Sequence, residues 1–225
     1  MIIIIGGNSG IGRTISESLI MQGEEVLTIS RSEIKENNNH FICDITNYDS
    51  LKSVYLEILK LNKSIHAIIN CAGIASMNLA LTTPPKITEQ IIKTNLIGTI
   101  FSNQIFAPLL IRNKWGRIIK FSTIAVTLAL KGESVYVASK AGVEAFTKVF
   151  AKELSLFNIT VNCIAPGPIR TNLIKGLKET QIKKVISKQI IQKEISKNDV
   201  FKIVQLLLQD NSADITGQVI NIGGV

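Results

Sequence analysis

The sequence predicts an α/β fold in which a doubly wound parallel sheet of about seven strands lies between two layers of helices. Seven short apolar runs rich in Ile or Val recur along the chain, and several lack polar alternation, as is typical of parallel strands covered on both faces. The stretches between them carry apolar residues at helical spacing. The predicted strands are Ile2–Ile5, Val26–Ile29, Phe41–Cys43, Ala67–Ile69, Ile118–Phe121, Thr160–Ala165 and Val219–Ile222.

Helices are predicted between these strands, and right-handed crossovers place them on both sides of the sheet, giving three layers, α/β/α. No linker or repeat interrupts the pattern, so we expect residues 1–225 to form a single domain. Only about ten residues, Arg31 to His40, join the second and third strands, so any helix in this second crossover should be short. The predicted helices are Ile11–Met21, Tyr48–Leu61, Ile87–Ile111, Val135–Phe157 and Asp199–Leu208.

The composition is that of a globular protein, with 46% apolar residues and a net charge of +8. Much of the positive charge comes from residues 175–202, which hold eight lysines and three acidic residues, a pattern typical of a solvated helical face. No basic run is interleaved with aromatic residues, and no zinc-ligand spacing or RNA-binding signature occurs. We therefore expect neither a nucleic-acid partner nor a metal site.

The three cysteines indicate a reducing compartment. Cys43, Cys71 and Cys163 lie far apart in apolar stretches and are odd in number, which favours buried thiols over disulfides. Met1–Ile5 lacks a preceding basic segment and runs into two glycines, so it is interpreted as a strand rather than a signal peptide. No apolar run approaches the roughly 18 residues of a membrane span. A cytoplasmic protein without membrane contact is expected.

A glycine-rich turn follows the first predicted strand, with the sequence Gly6-Gly7-Asn8-Ser9-Gly10-Ile11-Gly12, and a helix comes next. Glycines let the backbone bend sharply and approach a diphosphate, and the N-terminus of the helix offers unpaired N–H groups to the anion. No Gly-Lys-Ser/Thr ending follows, so a nucleoside-triphosphate loop is not predicted. The turn predicts a Rossmann-like dinucleotide site.

Ser30 and Arg31 directly follow the second predicted strand, where dinucleotide folds commonly hold the adenosine ribose with an acidic residue. A carboxylate would repel a 2′-phosphate, whereas a guanidinium binds it through two charge-assisted hydrogen bonds. NADP(H) is therefore favoured, and NAD(H) stays possible. The alternative is that Arg31 is a solvated turn residue without a ligand.

Further motifs occur in a fixed order after the glycine turn. Asp44-Ile45 follows the third strand, and Asn70-Cys71-Ala72-Gly73 follows the fourth. Tyr136-Val137-Ala138-Ser139-Lys140 lies in a predicted helix, and Pro166-Gly167 with Thr171 follows the sixth strand. Taken together over essentially the whole chain, these residues resemble the short-chain dehydrogenase/reductase family. Ile5 departs from the family pattern, which has a threonine before Gly6.

The resemblance implies a set of cofactor contacts. The Asp44 motif would contact the adenine, the Asn70 motif would border the cofactor, and the Pro166 turn would hold the nicotinamide carboxamide. The implied cofactor-binding residues are Gly6, Asn8, Ser9, Gly10, Ile11, Gly12, Ser30, Arg31, Asp44, Ile45, Asn70, Ala72, Gly73, Tyr136, Lys140, Pro166, Gly167, Ile169 and Thr171.

The resemblance also implies a catalytic group formed by Asn95, Thr123, Tyr136 and Lys140. A carbonyl that accepts hydride needs a proton donor at its oxygen, and a free tyrosine has a pKa of about 10. Tyr136 and Lys140 lie four residues apart and share one face of a helix. We expect the ammonium, together with the charge of the oxidised nicotinamide, to lower the pKa of the tyrosine. The resemblance implies that Lys140 binds the nicotinamide ribose and that Asn95 extends a proton relay through a water molecule.

The sequence departs from the family pattern at the residue expected to hydrogen-bond the substrate. The family usually places a serine thirteen residues before the tyrosine, where this sequence has Thr123, with Ser122 just before it. A threonine hydroxyl can donate and accept the same hydrogen bonds, although its methyl group takes up room. Thr123 is assigned the role, and the alternative is that Ser122 fills it.

Three functions follow. The first is an NADP(H)-dependent oxidoreductase that exchanges hydride with a carbonyl or secondary alcohol. The second is a 3-ketoacyl-thioester reductase or secondary-metabolite ketoreductase, which Lys114 favours but Phe157, where the family's acyl-carrier enzymes have an arginine, does not. The third is a non-enzymatic NADP-binding regulator, suggested by Thr123 and Ile5. The resemblance further implies a substrate lid at about 168–196 and a homodimer or homotetramer formed through helices 87–111 and 135–157.

Overall fold

Seven parallel strands form one sheet in the computed structural model, which describes residues 1–33, 39–176 and 178–225. The order is β3-β2-β1-β4-β5-β6-β7, so the predicted doubly wound α/β class is confirmed. The predicted strand positions agree with the structure to within two residues at each end. The strands are β1 Ile2–Ile5, β2 Val26–Ser30, β3 His40–Ile42, β4 Ala67–Asn70, β5 Gly116–Phe121, β6 Ile159–Pro166 and β7 Val219–Ile222.

Helices cover both faces of this sheet. The predicted helix 87–111 is divided, because Lys93–Ile97 form a π-helical turn between two α-helices. Such a local widening of a helix frequently marks a functional position. The α-helices are α1 Gly10–Met21, α2 Tyr48–Lys60, α3 Pro85–Ile92, α4 Gly98–Asn113, α5 Ala125–Leu128, α6 Ser134–Leu154, α7 Glu179–Ile186 and α8 Lys197–Leu208.

The β1 strand explains why the predicted strands are apolar without alternation. Ile3 and Ile5 pack into a core cluster with residues of α2, α4 and α6. Ile2 and Ile4 point the other way, into a second cluster with residues of α1 and α8. All four side chains are at most 1% exposed. Because both faces are dry, polar groups concentrate at the ends of the strands.

The chain reverses its direction across the sheet between β1 and β4, which are paired neighbours. In open α/β sheets this reversal leaves a crevice at the carboxyl ends of the strands. The second crossover leaves β2 at Ser30 and reaches β3 at His40. The short helix predicted there falls largely on residues 34–38, which lie outside the described residues.

One helical stretch, Pro85–Asn113, is long and apolar enough to cross a membrane by length and composition, with a mean hydropathy of 1.2. Within the structure 56% of its most apolar window is buried. Phe106 and Leu110 of this stretch belong to the core cluster beneath α4. Packing inside the protein therefore explains its apolar composition.

The cysteines form no disulfide among the described residues. Cys43 and Cys163 are buried, as predicted. Cys71 was predicted to be buried and is instead partly exposed, because it directly follows β4 and lies where the loops part at the sheet edge.

A lysine lies in the core beneath α6. Lys120 of β5 is 0% exposed, and its Nζ lies 4.7 Å from the ring centroid of Phe146 and 5.0 Å from that of Phe150. The amine has no hydrogen-bond partner among the described residues. Burial lowers the pKa of Lys120 to about 7, and the nearby Cys163 opposes this shift.

We predict that Lys120→Met raises the free energy of unfolding at pH 6 by roughly 2–5 kcal/mol, because the native protein must hold a buried ammonium there. Between a pKa of about 7 in the native state and the ordinary value of 10.5, the unfolded chain binds the extra proton. The stability of the unmodified protein therefore rises with pH in this window, and the difference between the two proteins shrinks.

Urea unfolding of both proteins at pH 6 and pH 9 measures this difference. Lys148→Met, which removes an exposed lysine of α6, the helix above Lys120, is the control and should change stability little. A difference between Lys120→Met and the unmodified protein that is equal at both pH values would contradict the prediction.

Candidate active site

Two adjoining cavities open at the carboxyl edge of the sheet. The main cavity has a volume of about 430 Å³ and lies among the loops that follow β1, β4, β5 and β6. The side cavity, about 180 Å³, lies at the ends of β1 and β2. Both are lined by Ser9, Cys71, Gly73 and Ile74, so one elongated ligand can extend through the two.

Most of the residues predicted to bind a cofactor line one of these cavities. The main cavity includes Ser9, Gly10, Ile11, Gly73, Tyr136, Lys140, Pro166, Gly167, Ile169 and Thr171. The side cavity includes Gly6, Asn8, Ser9, Ser30, Arg31, Asp44, Ile45, Ala72 and Gly73. Gly12 and Asn70 line neither cavity and lie behind the walls.

The glycine turn after β1 is closely packed. Gly6 has a φ of +79°, a conformation that favours glycine, and a β-carbon there would lie 2.8 Å from the backbone nitrogen of Ala72. A β-carbon on Gly12 would lie 2.3 Å from the carbonyl oxygen of Gly6. Helix α1 begins at Gly10, so its free N–H groups face the space beside the turn. This arrangement suits a diphosphate.

The side cavity has a polar rim. The Asn8 amide donates to Ser32 Oγ over 2.6 Å, and the Ser30 hydroxyl donates to the Ser32 carbonyl over 2.9 Å. The Arg31 guanidinium is exposed and makes no hydrogen bond or ion pair within the described part of the chain. Asp44 lies on the same rim, where its carboxylate accepts the N–H of Thr46. The role of Ser32 was not predicted, because serine in a turn carries no distinctive signal.

Tyr136 and Lys140 occupy the first turns of α6 at the wall of the main cavity. Both are at most 6% exposed. The Lys140 ammonium donates to the carbonyl oxygen of Phe121, at the end of β5, over 2.9 Å. Burial lowers the pKa of Lys140, and the nearby Cys163 and Cys71 thiols oppose the shift.

The pKa of Tyr136 differs from the sequence expectation. Burial raises this pKa above its ordinary value of 10, and the negative charge of Glu133 raises it further. The predicted lowering by Lys140 is therefore not produced by the protein alone. The cost of removing the Tyr136 phenolate from water outweighs its attraction to the Lys140 ammonium, which donates its hydrogen bond to the Phe121 carbonyl instead.

Thr123 and Ser122 both line the main cavity, but their hydroxyl groups are used differently. Ser122 Oγ donates to Glu144 Oε1 of α6 over 2.5 Å. Thr123 Oγ1 accepts the backbone N–H of Ala125 over 3.2 Å, which leaves its own O–H available to a ligand. The Thr123 hydroxyl is therefore the freer hydrogen-bond donor of the two.

Asn95 lies in the π-helical turn and is fully buried, so it lines neither cavity. Its Oδ1 accepts the N–H of Ile74 over 2.8 Å, and its Nδ2 donates to the Ile74 carbonyl and to Ser139 Oγ. Ser139 in turn donates to the Tyr136 carbonyl over 2.7 Å. These bonds tie the loop after β4 to the helix that carries Tyr136. The resemblance did not single out Ser139, which occupies a variable position of the Tyr-x-x-x-Lys pattern.

Asn70 has a similar supporting position beneath the cavities. Its Oδ1 accepts the N–H of Ala72 over 3.0 Å, and its Nδ2 donates to Thr99 Oγ1 over 3.2 Å. Gly73 follows, and a β-carbon there would lie 3.3 Å from Lys140 Nζ and 3.4 Å from Asn95 Oδ1. The glycine therefore lets the loop pass close to both groups.

The turn after β6 packs against a side chain that the sequence did not indicate. Gln189 is 2% exposed, and its Nε2 donates to the carbonyls of Ile191 and Lys193. A β-carbon on Gly167 would collide with Gln189 Oε1, so a larger residue there would require this side chain to move. Gln189 of the 168–196 segment thus packs directly against the Pro166-Gly167 turn.

Described residues of the 168–196 segment form part of the wall of the main cavity. The segment contains α7 and a 3₁₀ turn at Asn172–Ile174, and its apolar side chains Leu173, Ile174, Ile182 and Val185 line the cavity. Arg170 joins its two parts, with nitrogen–oxygen distances of 2.9 Å to Glu179 and 2.6 Å to Glu194.

Comparisons with known proteins agree with this site. A family model described as Enoyl-(Acyl carrier protein) reductase matches residues 5–224. The 3-oxoacyl-[acyl-carrier-protein] reductase FabG of Buchnera aphidicola subsp. Schizaphis graminum is 32% identical, covering 99% of this chain and 95% of the relative. FabG of Escherichia coli is 27% identical over the same shares. The chain belongs to the short-chain dehydrogenase/reductase family, a family of oxidoreductase enzymes.

Solved structures give the same picture. The ligand-free aldohexose dehydrogenase of Thermoplasma acidophilum is 28% identical with a TM-score of 0.89, covering 99% of this chain and 92% of that one. ElxO with NADP bound is 24% identical with a TM-score of 0.88, covering 98% and 96% of the two chains. At that identity the likeness to ElxO shows the fold alone.

Proposed function

We propose that this protein is an NADP(H)-dependent oxidoreductase that transfers hydride between the nicotinamide and the carbonyl or secondary alcohol group of a small-molecule substrate. One observation carries the proposal. Tyr136 and Lys140, buried one helical turn apart, line the same cavity as the glycine-rich turn at the start of α1. A proton donor and a diphosphate-binding turn in one cavity are what carbonyl reduction with a dinucleotide requires.

The residues present fit a bound NADP(H). The N-terminus of α1 would hold the diphosphate, and Arg31 would pair with the 2′-phosphate beside the hydroxyl groups of Ser30 and Ser32. Lys140 would hold the nicotinamide ribose, and the Pro166-Gly167 turn the carboxamide. When bound, the cofactor supplies or accepts the hydride.

The side chains of the site supply and direct the proton. The raised pKa of Tyr136 keeps its hydroxyl protonated at neutral pH, so the phenol can donate to the oxygen of a carbonyl under reduction. Thr123 would donate a second hydrogen bond to that oxygen. For alcohol oxidation the phenolate is needed, and the positive charges of Lys140 and the oxidised nicotinamide would favour it.

The cavity favours a substrate with an apolar body. Ile124, Ala125 and Leu130 line it from the loop after β5, and Ile182 and Val185 line it from the 168–196 segment, which we propose acts as a lid. A 3-ketoacyl thioester is the second candidate substrate, because relatives named 3-oxoacyl-[acyl-carrier-protein] reductase match almost the entire chain. The third candidate, an NADP-binding regulator without activity, leaves the buried Tyr136–Lys140 arrangement unexplained.

We further propose a cytoplasmic homodimer or homotetramer. Exposed apolar side chains lie on the helices expected to form the interface, including Ile97 of the π-helical turn and Val149 of α6. Exposed apolar groups of this kind are buried at subunit interfaces in oligomers. Light scattering of the purified protein counts the copies, and a monomer would contradict this part of the proposal.

Tyr136→Phe is the direct test of the oxidoreductase proposal. The variant keeps the apolar ring but lacks the proton donor, so we expect the rate of NADPH oxidation with activated ketones to fall by about 10²–10⁴-fold. The affinity for NADPH should change little. Absorbance at the NADPH band measures the rate, and cofactor fluorescence measures binding. An unchanged rate would exclude Tyr136 as the donor.

Thr123→Ala and Ser122→Ala decide between the two hydroxyl groups. We expect Thr123→Ala to reduce kcat/KM for ketones by about tenfold or more, because one hydrogen bond to the developing oxyanion is lost. Ser122→Ala should reduce it less, since that hydroxyl is bonded to Glu144. The reverse order of the two effects would assign the role to Ser122.

Arg31→Ser tests the choice of cofactor. Losing a charge-assisted contact to the 2′-phosphate should weaken NADPH binding by about tenfold or more and leave NADH binding unchanged. Fluorescence titration with each cofactor measures the ratio of the dissociation constants for NADPH and NADH. Arg112→Ser, which removes an exposed arginine near the end of α4, is the control. Equal losses for NADPH and NADH would mean that Arg31 does not contact the 2′-phosphate.

A further inference from the structure

The main cavity contains a carboxylate that the proposed mechanism does not use. Glu133 precedes the first residue of α6 and lies three residues before Tyr136, so the two side chains are about one helical turn apart. Glu133 lines the cavity at the end formed by the loop after β5, together with Thr123 and Leu130. The glycine-rich turn, where the diphosphate would bind, lines the cavity from a different connection, the one after β1. Because Glu133 belongs to the same connection between β5 and α6 as Thr123, which would contact the substrate, we assign it to the substrate side of the site.

This carboxylate has no structural partner within the described ranges. Residues at this position of a helix commonly cap it, but the Glu133 side chain makes no capping hydrogen bond. It forms no ion pair with a described lysine or arginine, although it is partly buried. Burial raises the pKa of the carboxyl group, which indicates that the charge is held partly out of water without compensation.

The surroundings of Glu133 make it the main polar feature of the substrate side. Among the described residues that line the cavity it is the single carboxylate, and the other ionisable groups there are Cys71, Tyr136 and Lys140. Apolar side chains, among them Ile124, Ala125 and Leu130, line the same cavity. An unpaired, partly desolvated acceptor of this kind gains most from a ligand that brings a hydrogen-bond donor, and it repels an anion.

We propose that Glu133 determines substrate specificity: its carboxylate accepts a hydrogen bond from a hydroxyl or N–H group that the substrate carries beside the reacting carbonyl, and it excludes substrates with a carboxylate there. This inference rests on the oxidoreductase function proposed above and names the substrate class of that site. The preferred substrate is a neutral ketone with an apolar body and a donor group next to the carbonyl.

Glu133→Gln tests the inference, because it keeps the size of the side chain and removes the charge. Three probes of one chain length are compared at pH 8: 1-hydroxy-2-octanone, 2-octanone and 2-oxooctanoate. In the variant we expect the ratio of kcat/KM for the hydroxyketone over 2-octanone to fall about fivefold or more, since a charged acceptor binds a donor more strongly than a neutral one. The ratio for 2-oxooctanoate over 2-octanone should rise about tenfold or more.

Ligand binding provides a readout that does not depend on turnover. Calorimetry with and without NADP⁺ compares octanoate with 1,2-octanediol, and Glu133→Gln should bind octanoate about tenfold more tightly relative to the diol. Glu153→Gln, which removes a carboxylate from the exposed side of the same helix, is the matched control and should leave every ratio unchanged.

The outcomes separate the two proposals. Ratios within twofold of those of the unmodified protein, or equal changes for all three probes, overturn the role of Glu133 while leaving the oxidoreductase function intact. A protein that turns over none of the ketones but shows the expected binding selectivity supports Glu133 as a specificity residue and contradicts the oxidoreductase proposal for these substrates.

Discussion

Burial of the parallel sheet on both faces is the constraint on which the rest of this structure depends. Strand residues that face a helix layer are therefore mostly apolar, as the four isoleucines of β1 are, and the buried Lys120 of β5 is an exception. The polar groups that a ligand can reach lie mainly in the loops at the strand ends. Because parallel strands all end at one edge, the loops after β1, β4, β5 and β6 meet there and enclose the main cavity.

Exclusion of water also determines the chemistry of that cavity. Burial raises the pKa of Tyr136 and lowers the pKa of Lys140, so each group is favoured in its neutral form. A protonated phenol is the form required for carbonyl reduction. For the reverse reaction, the positive charge of a bound oxidised cofactor would favour the phenolate form of Tyr136. Hydrogen bonds from Lys140 to Phe121 and from Asn95 to Ile74 and Ser139 keep the elements in place before a ligand arrives.

The sequence was sufficient for the fold and for most of the cofactor-site residues that line the cavities, because strand periodicity, glycine turns and the Tyr-x-x-x-Lys spacing are local patterns. It did not indicate that burial raises the pKa of Tyr136 in the protein without cofactor, since burial depends on residues distant in the chain. It gave no signal for Gln189 against Gly167 or for the Ser122–Glu144 bond, because both contacts form only after the 168–196 segment and α6 have packed. The fully buried position of Asn95 likewise depends on the π-helical turn, which no periodicity indicates.

The central claim is that one crevice aligns a dinucleotide with Tyr136. A crystal structure of the protein with NADP⁺ tests it most directly. We expect the diphosphate at the N-terminus of α1, the 2′-phosphate beside Arg31, and the nicotinamide ring in the main cavity between Tyr136 and the Pro166-Gly167 turn. A cofactor bound elsewhere, or a nicotinamide ring directed away from Tyr136, would contradict the account.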